Sequence, residues 1–331
     1  MSSSAVQTST TPNIVSIMGT GGKEIDLTRN TVYLQLSLHA LGTSRKVPEA
    51  LWGNLGLVGA DDDQFPDPEA EKLNKKLFDV SKKLFDSPTL TAIRSFDGHL
   101  RDWVRKKCLP YIAGTHFLPH TLVNLVDDHL SRSQRQRARL VDQFLAEYPA
   151  LCRAAARGLT RKFFNIDDYP TLEEVASRFW ISWQYLRIRV PDELEQINRE
   201  IYETETRNAA QQMRQAVSDI EAMLRDEALN LVRKLSDALQ VGKDGRKKRL
   251  TDGAFTNLAE FLAFFDHRNV TNDGELKRIV EELRRKLGEN DVEHVRNSVD
   301  LRQQMAREMS AITQQLSSMV ELVPRRKMTL H

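Results

Sequence analysis

The stretch PDELEQINREIYETETRNAAQQMRQAVSDIEAMLRDEALNLVRKLSDAL, Pro191 to Leu239, decides the fold class. Beyond its opening Pro191 it contains neither proline nor glycine. Its apolar residues recur at threes and fours: Leu194, Ile197, Ile201, Met213, Val217, Ile220, Leu224, Ala228, Leu231 and Leu235. That spacing predicts one long amphipathic helix. A helix of roughly 50 residues is about 75 Å long at about 1.5 Å rise per residue, more than a globular domain needs. A second run, Met305, Met309, Ile312, Leu316, Met319 and Val323, closes the chain. Its alternating four-three spacing is the seam of a coiled coil. The sequence therefore predicts a mainly α protein with long antiparallel helical hairpins or a coiled coil.

Composition agrees. Charged residues make up 28% of the 331 residues and aromatics 7%, a balance that suits solvated helices. Lys+Arg is 48 and Asp+Glu is 46, so a net charge of +2 selects no partner by itself. Locally the chain is acidic from Asp61 to Glu71 and basic from Arg132 to Lys162. Two cysteines, Cys108 and Cys152, are too few for a disulfide framework and read as reduced, buried thiols. The Ser/Thr-rich start, Met1 to Pro12, lacks the charged and apolar regions of a signal peptide. No apolar run reaches the roughly 20 residues of a membrane span. A cytoplasmic protein without membrane contact is the expectation.

A small β element is predicted near 31–41, where Val32, Leu34, Leu36 and Leu38 alternate, and near 179–190, where Phe179, Ile181, Trp183 and Tyr185 do. These two strands could pair, within one chain or across a dimer interface. Ile14 to Met18 reads as a short strand running into a turn. Gly53 to Pro68 reads as a loop, and Glu69 to Phe85 as a basic amphipathic helix. Ser87-Pro88 caps a helix running to about Leu109, Gly114 to Pro119 forms a turn, and another helix follows to about Tyr148. Those two helices are expected to fold back on each other. Pro149 either kinks the second or begins a new one. Pro170 to Arg178 is a short helix; Gly253 to Asp266 and Asp273 to Leu287 form a helical hairpin; Asn290 to Val323 is the closing helix. The domain reading is a flexible N-terminus (1–22), a mixed base (23–190), the long helix plus hairpin (191–288) and a C-terminal coiled-coil helix with basic tail (289–331).

Motifs for chemistry fail on spacing. Gly19-Thr20-Gly21-Gly22-Lys23 is too short for a phosphate-binding loop and puts Glu24 where a hydroxyl is needed, so a hairpin turn is the reading. His116 and His120 are separated by Pro119, and a zinc site needs more ligands than they supply. Asp61-Asp62-Asp63 lacks the alternation of a calcium loop. No catalytic triad stands out. No catalytic residue, cofactor or metal ligand is assigned, and the chain is read as a non-enzyme.

Two features point to partners. Arg132, Arg135 and Arg139 lie near one helix face, and Arg153, Arg157 and Arg161 share another. Such stripes bind phosphate backbones without sequence preference. The alternative is a solvated face, or pairing with Glu195, Glu200, Glu203 and Glu205. The cluster Lys243 to Arg249 reads as a helix-breaking loop, with nucleic-acid contact as its alternative; neither basic region carries the aromatics that stack single-stranded bases. The seam at Met305, Met309, Ile312, Leu316, Met319 and Val323 must be buried, either against the Pro191–Leu239 helix or against a partner or second copy.

The order of features also resembles a known family. Leu84-Phe85-Asp86-Ser87-Pro88 opens a helix, Gly114, Phe117 and Pro119 form a turn, and Phe179, Trp183 and Arg187 precede Val190-Pro191 and a very long helix. Over roughly Lys23 to Gly288 this resembles an uncharacterised bacterial and phage family, domain of unknown function family 3150. The resemblance implies a phage or mobile-element context, with a MoxR-type AAA+ ATPase and a von Willebrand factor A protein as neighbours and annealing recombinases nearby. It transfers no site residue. The leading expectation is a helical adaptor or scaffold that docks such a partner or self-assembles as a homo-oligomer. The alternative is a nucleic-acid-binding protein of phage or mobile-element recombination or defence.

Overall fold

A computed structural model describes residues 17–18, 24–25, 27–55, 79–112, 114–187, 190–240, 252–288 and 292–321. The chain is mostly helical, with a small antiparallel sheet. It forms two units, each drawn from separated segments of the chain. Unit 1 is Met1–Gln35, Trp103–Val126 and Gln184–His331; unit 2 is Leu36–Asp102 and Asp127–Trp183.

The strands begin with β1 (Ile17–Met18) and β2 (Glu24–Ile25), an antiparallel pair. A four-residue helix α1 (Leu27–Asn30) leads into β3 (Thr31–His39), the strand expected from its alternation. A second small pair joins β4 (Ser44–Lys46) to β5 (Ser81–Lys83). This corrects the helix expected over Glu69 to Phe85. Its C-terminal part is a strand followed by buried Leu84 and Phe85, and the rest lies outside the described residues.

Helix α2 (Pro88–Lys107) begins at the capped Ser87-Pro88, where Ser87 Oγ accepts from Leu90 N at 3.1 Å. The segment between the two expected helices differs: in place of the turn expected from Gly114 to Pro119, a hairpin of β6 (Leu109–Ile112) and β7 (Thr115–Pro119) forms around Gly114. Gly114 has φ +79°, a conformation that glycine adopts without a Cβ penalty. The main sheet has strand order β6-β7-β3-β8, with β8 at Trp180–Leu186 next to β3. β3 and β7 are antiparallel, pairing Tyr33 with Phe117. Pro110 is tolerated because β6 is an edge strand with no ladder bond to lose on its outer side.

Helix α3 (Val123–Gly158) continues through Pro149 without ending. α4 (Leu172–Ser177) carries a capping box in which Thr171 and Glu174 satisfy each other's backbone N–H. The long helix is broken once. α5 (Glu193–Ile197) stops at Asn198, whose extended backbone lets its side chain accept from Glu200 N and Ile201 N and start α6 (Arg199–Leu239). α7 (Asp252–Arg268) and α8 (Gly274–Gly288) match the expected pair. The closing helix is also broken, into α9 (Val292–Asn297) and α10 (Val299–Glu321), with Ser298 Oγ accepting from Leu301 N.

Unit 1 has one apolar core, built on α6, α7, α8 and α10. α10 packs along α6. Arg302, in the first turn of α10, donates to the Leu239 and Ala238 carbonyls at the last turn of α6, at 3.0 and 2.6 Å. Those carbonyls have no partner inside their own helix. Asp273 does two jobs: Oδ1 caps α8 at Glu275 N and Leu276 N, and Oδ2 accepts from Arg225 Nε of α6 at 2.7 Å.

Unit 2 has its own core, in which Phe85, Phe144, Tyr148 and Tyr169 meet Leu41, Leu90 and Ile93. Trp183 Nε1 of β8 donates to Asp127 of α3 at 2.9 Å. No described helix is long and apolar enough to cross a membrane.

A candidate polyanion-binding face on helix α3

Between Arg132 and Lys162 stand eight basic residues and two acidic ones, Asp142 and Glu147. The chain separates these cations by phase. Leu130, Arg137, Val141, Phe144 and Tyr148 follow a seven-four-three-four spacing and are buried. Arg132, Arg135, Arg139, Arg153 and Arg157 are all exposed. On a regular helix of about 3.6 residues per turn these five fall within one sector of about 60°, opposite the buried stripe. The burial pattern stays in phase beyond Pro149, where Leu151, Cys152 and Ala155 pack against the core of unit 2. Two stripes that the sequence leaves on separate helices are thus one face of one helix. Arg161 is exposed on the turn that follows.

Among the described residues none of these six arginines makes an ion pair. Glu203, one of the acids expected to answer them, pairs with Arg199 of its own helix at 3.0 Å. The acids on or beside the face, Asp128, Asp142 and Glu147, are exposed, and Glu147 accepts from Thr89 Oγ1 at 2.6 Å.

Arg137 is the residue that sequence reading misses. Its side chain is 2% exposed and grips Asp97 of α2 through both carboxylate oxygens, at 2.7 and 2.9 Å. Its Nη2 also donates to the His39 carbonyl of β3 at 2.8 Å. This fork fixes α3 against α2 and β3 within unit 2 and so sets which way the exposed arginines point. The signal was available, since Arg137 lies on the heptad line of Leu130 and Phe144 rather than with its charged neighbours.

The seam residues take a different place. Met305, Met309, Ile312, Leu316 and Met319 are buried in the core that α10 shares with α6. Of the two placements the spacing allows, these five side chains take the one against α6. Val323 lies outside the described residues, as do the Gly19–Lys23 turn, Asp61–Asp63 and the Lys243–Arg249 cluster.

Other chemistry is sparse. No cluster of His, Cys, Asp and Glu among the described residues has the makings of a metal site. His116 lies in β7, where burial and then the nearby Arg105 charge lower its pKa, so it is neutral near pH 7. Cys108 sits in the bend after α2, and burial pushes its thiol up to about 12, against a smaller opposing pull from Arg268. Cys152 is half-buried in α3, and both thiols are free.

Comparison of the chain with protein-family models, curated proteins and solved structures finds no match in any of the three. The functional reading therefore rests on the chain's own residues.

Proposed function

We propose that this protein is a helical nucleic-acid-binding scaffold whose α3 face holds a phosphate backbone. The observation that carries the reading is the set of five exposed arginines, on one face opposite the buried stripe, with no ion pair to any of them among the described residues. Arginine is suited to phosphate because its planar fork presents paired donors. Five such contacts give affinity without sequence preference, since phosphates position a protein and base edges specify it. The experiment is fluorescence anisotropy of the full chain with labelled oligonucleotides from about 50 to 200 mM salt. Binding should fall steeply with salt, and Arg153→Ala with Arg157→Ala should flatten the slope by about one for each phosphate no longer held. Absent or salt-insensitive binding sinks the reading. A role in phage or mobile-element DNA metabolism, implied by the family resemblance, is consistent with it.

A second reading, that of an adaptor, is favoured by the junction of α5 and α6. Ile197 is 78% exposed and Ile201 49%, an apolar pair that the core of unit 1 does not use. In this reading α10 and α6 form an antiparallel intramolecular coiled coil that stiffens the arm. The isoleucines dock a protein partner, for which the resemblance suggests an AAA+ ATPase or a von Willebrand factor A protein, or a second copy of the chain. Light scattering coupled to size exclusion, with the AAA+ protein added or omitted, tests it. Ile197→Asp with Ile201→Asp should abolish the complex and leave the thermal midpoint unchanged. A complex that survives the double substitution removes these residues from the interface.

A further inference from the structure

Resting on the nucleic-acid reading, we infer that the α3 face takes double-stranded nucleic acid, gripping two phosphate rows across a groove over about one helical turn.

The stripe has the length for it. Arg132 to Arg157 spans about 38 Å along the axis at about 1.5 Å per residue. One turn of a B-form duplex is about 34–36 Å. The stripe is also interrupted. Arg132, Arg135 and Arg139 occupy about 10 Å and Arg153 and Arg157 about 6 Å, with about 21 Å between Arg139 and Arg153. That gap carries no cation; it holds exposed Asp142, Gln143, Ala146, Glu147 and Ala150. Two cationic ends flanking a small, partly acidic middle match two phosphate rows with a groove between them. A single strand laid along the same face would bring phosphates opposite Asp142 and Glu147, where the carboxylates repel them.

The chemistry of the middle agrees. The arginine-bearing face of α3 has no aromatic side chain, whereas proteins that hold single strands recover the loss of strand freedom by stacking bases on aromatic rings. The exposed aromatics of the described residues, Trp180 and Tyr185, are on β8, and Trp180 is already stacked on His39 with centroids 5.6 Å apart. A duplex arrives ordered and needs no stacking. Ala146 and Ala150 allow close approach of the helix to the groove.

The test measures binding of the full chain to a 15-base-pair duplex of arbitrary sequence and to each of its two strands alone, across a salt series. Duplex binding is expected with a slope of log K against log[salt] of about −4 to −5, the value for five phosphates at about −0.9 each. Each single strand should bind at least ten-fold more weakly. Gln143→Arg, which places a cation in the gap, should strengthen single-strand binding and leave duplex affinity within about two-fold. Equal or tighter binding of single strands overturns the inference while leaving the nucleic-acid reading standing. So does a duplex slope near −2, which would mean that one arginine group works alone. No binding to duplex or strand removes both.

Discussion

Unit 1 and the α3 face of unit 2 treat their cations in opposite ways. In unit 1 every buried cation among the described residues has a partner. Arg225 meets Asp273 at 2.7 Å, Arg268 meets Glu227 at 2.8 Å, and Arg302 meets two carbonyls at the end of α6. Lys107 meets Glu260 at 2.8 Å and lies 3.5 Å from the centre of the Phe264 ring. A charge taken out of water must be paired or it is not tolerated. On α3 only Arg137 obeys that rule, because only Arg137 is buried. Its five neighbours remain in water, where they cost nothing and hold nothing together. The contrast separates arginines that build the protein from arginines left over for something else.

The core should respond most strongly. Leu316→Asp puts a carboxylate at a fully buried position of the α6–α10 core with no partner. It should cost more than about 4 kcal/mol and unfold unit 1. A folded chain with altered self-association, measured by circular dichroism and light scattering, would instead return the seam to the surface.

Next come the answered cations. Arg137→Ala strands Asp97, and Asp273→Ala leaves Arg225 with the longer 3.7 Å pair to Glu275 and removes the α8 cap; each should cost about 3–5 kcal/mol in urea unfolding. Arg135→Ala, two residues from Arg137, should stay within about 0.5 kcal/mol. Equal costs for Arg135 and Arg137 would erase the distinction.

The third expectation concerns pH. Burial pushes the Glu260 carboxyl up, but hydrogen bonds from Lys107 and Lys106 outweigh it and hold the pKa below its ordinary value. A carboxyl depressed in the folded state contributes stability that is present above its unfolded pKa and lost as pH falls through the folded one. Unit 1 should therefore weaken below about pH 4.5, the ordinary value. Glu260→Gln should reduce that acid sensitivity in urea midpoints taken from pH 7 to pH 3; an unchanged profile would show that the two lysines do no work there. The smallest effect is chemical. With its thiol pushed up to about 12 and buried, Cys108 should resist alkylation at pH 8 until the protein unfolds, as mass spectrometry of the labelled protein would show.

Much of the helical layout was legible. The strand at Thr31–His39, the capped starts at Ser87 and Thr171, and the α7 and α8 pair follow from alternation, caps and period. The residues around Gly114 were not. Leu109 to Pro119 mixes apolar residues and prolines without a clear period, and what makes it a hairpin is pairing with β3, from residues about 80 positions earlier. The breaks at Asn198 and Ser298 were missed because the apolar period runs on across them; each side chain caps the following helix instead. The candidate site was half legible. All six exposed arginines were in view, but Pro149 divided them into two groups, and Arg137 was not singled out at all.

The sequence by itself determined which residues carry charge, which helices are amphipathic, and that the 305–319 seam must be buried, because period and polarity are local properties of the chain. Only the tertiary structure decided that the seam closes on α6, that one arginine of the α3 cluster is held by Asp97, and that five others share one exposed face. Burial and pairing are set by what the rest of the chain brings alongside, and no local pattern states which neighbour arrives.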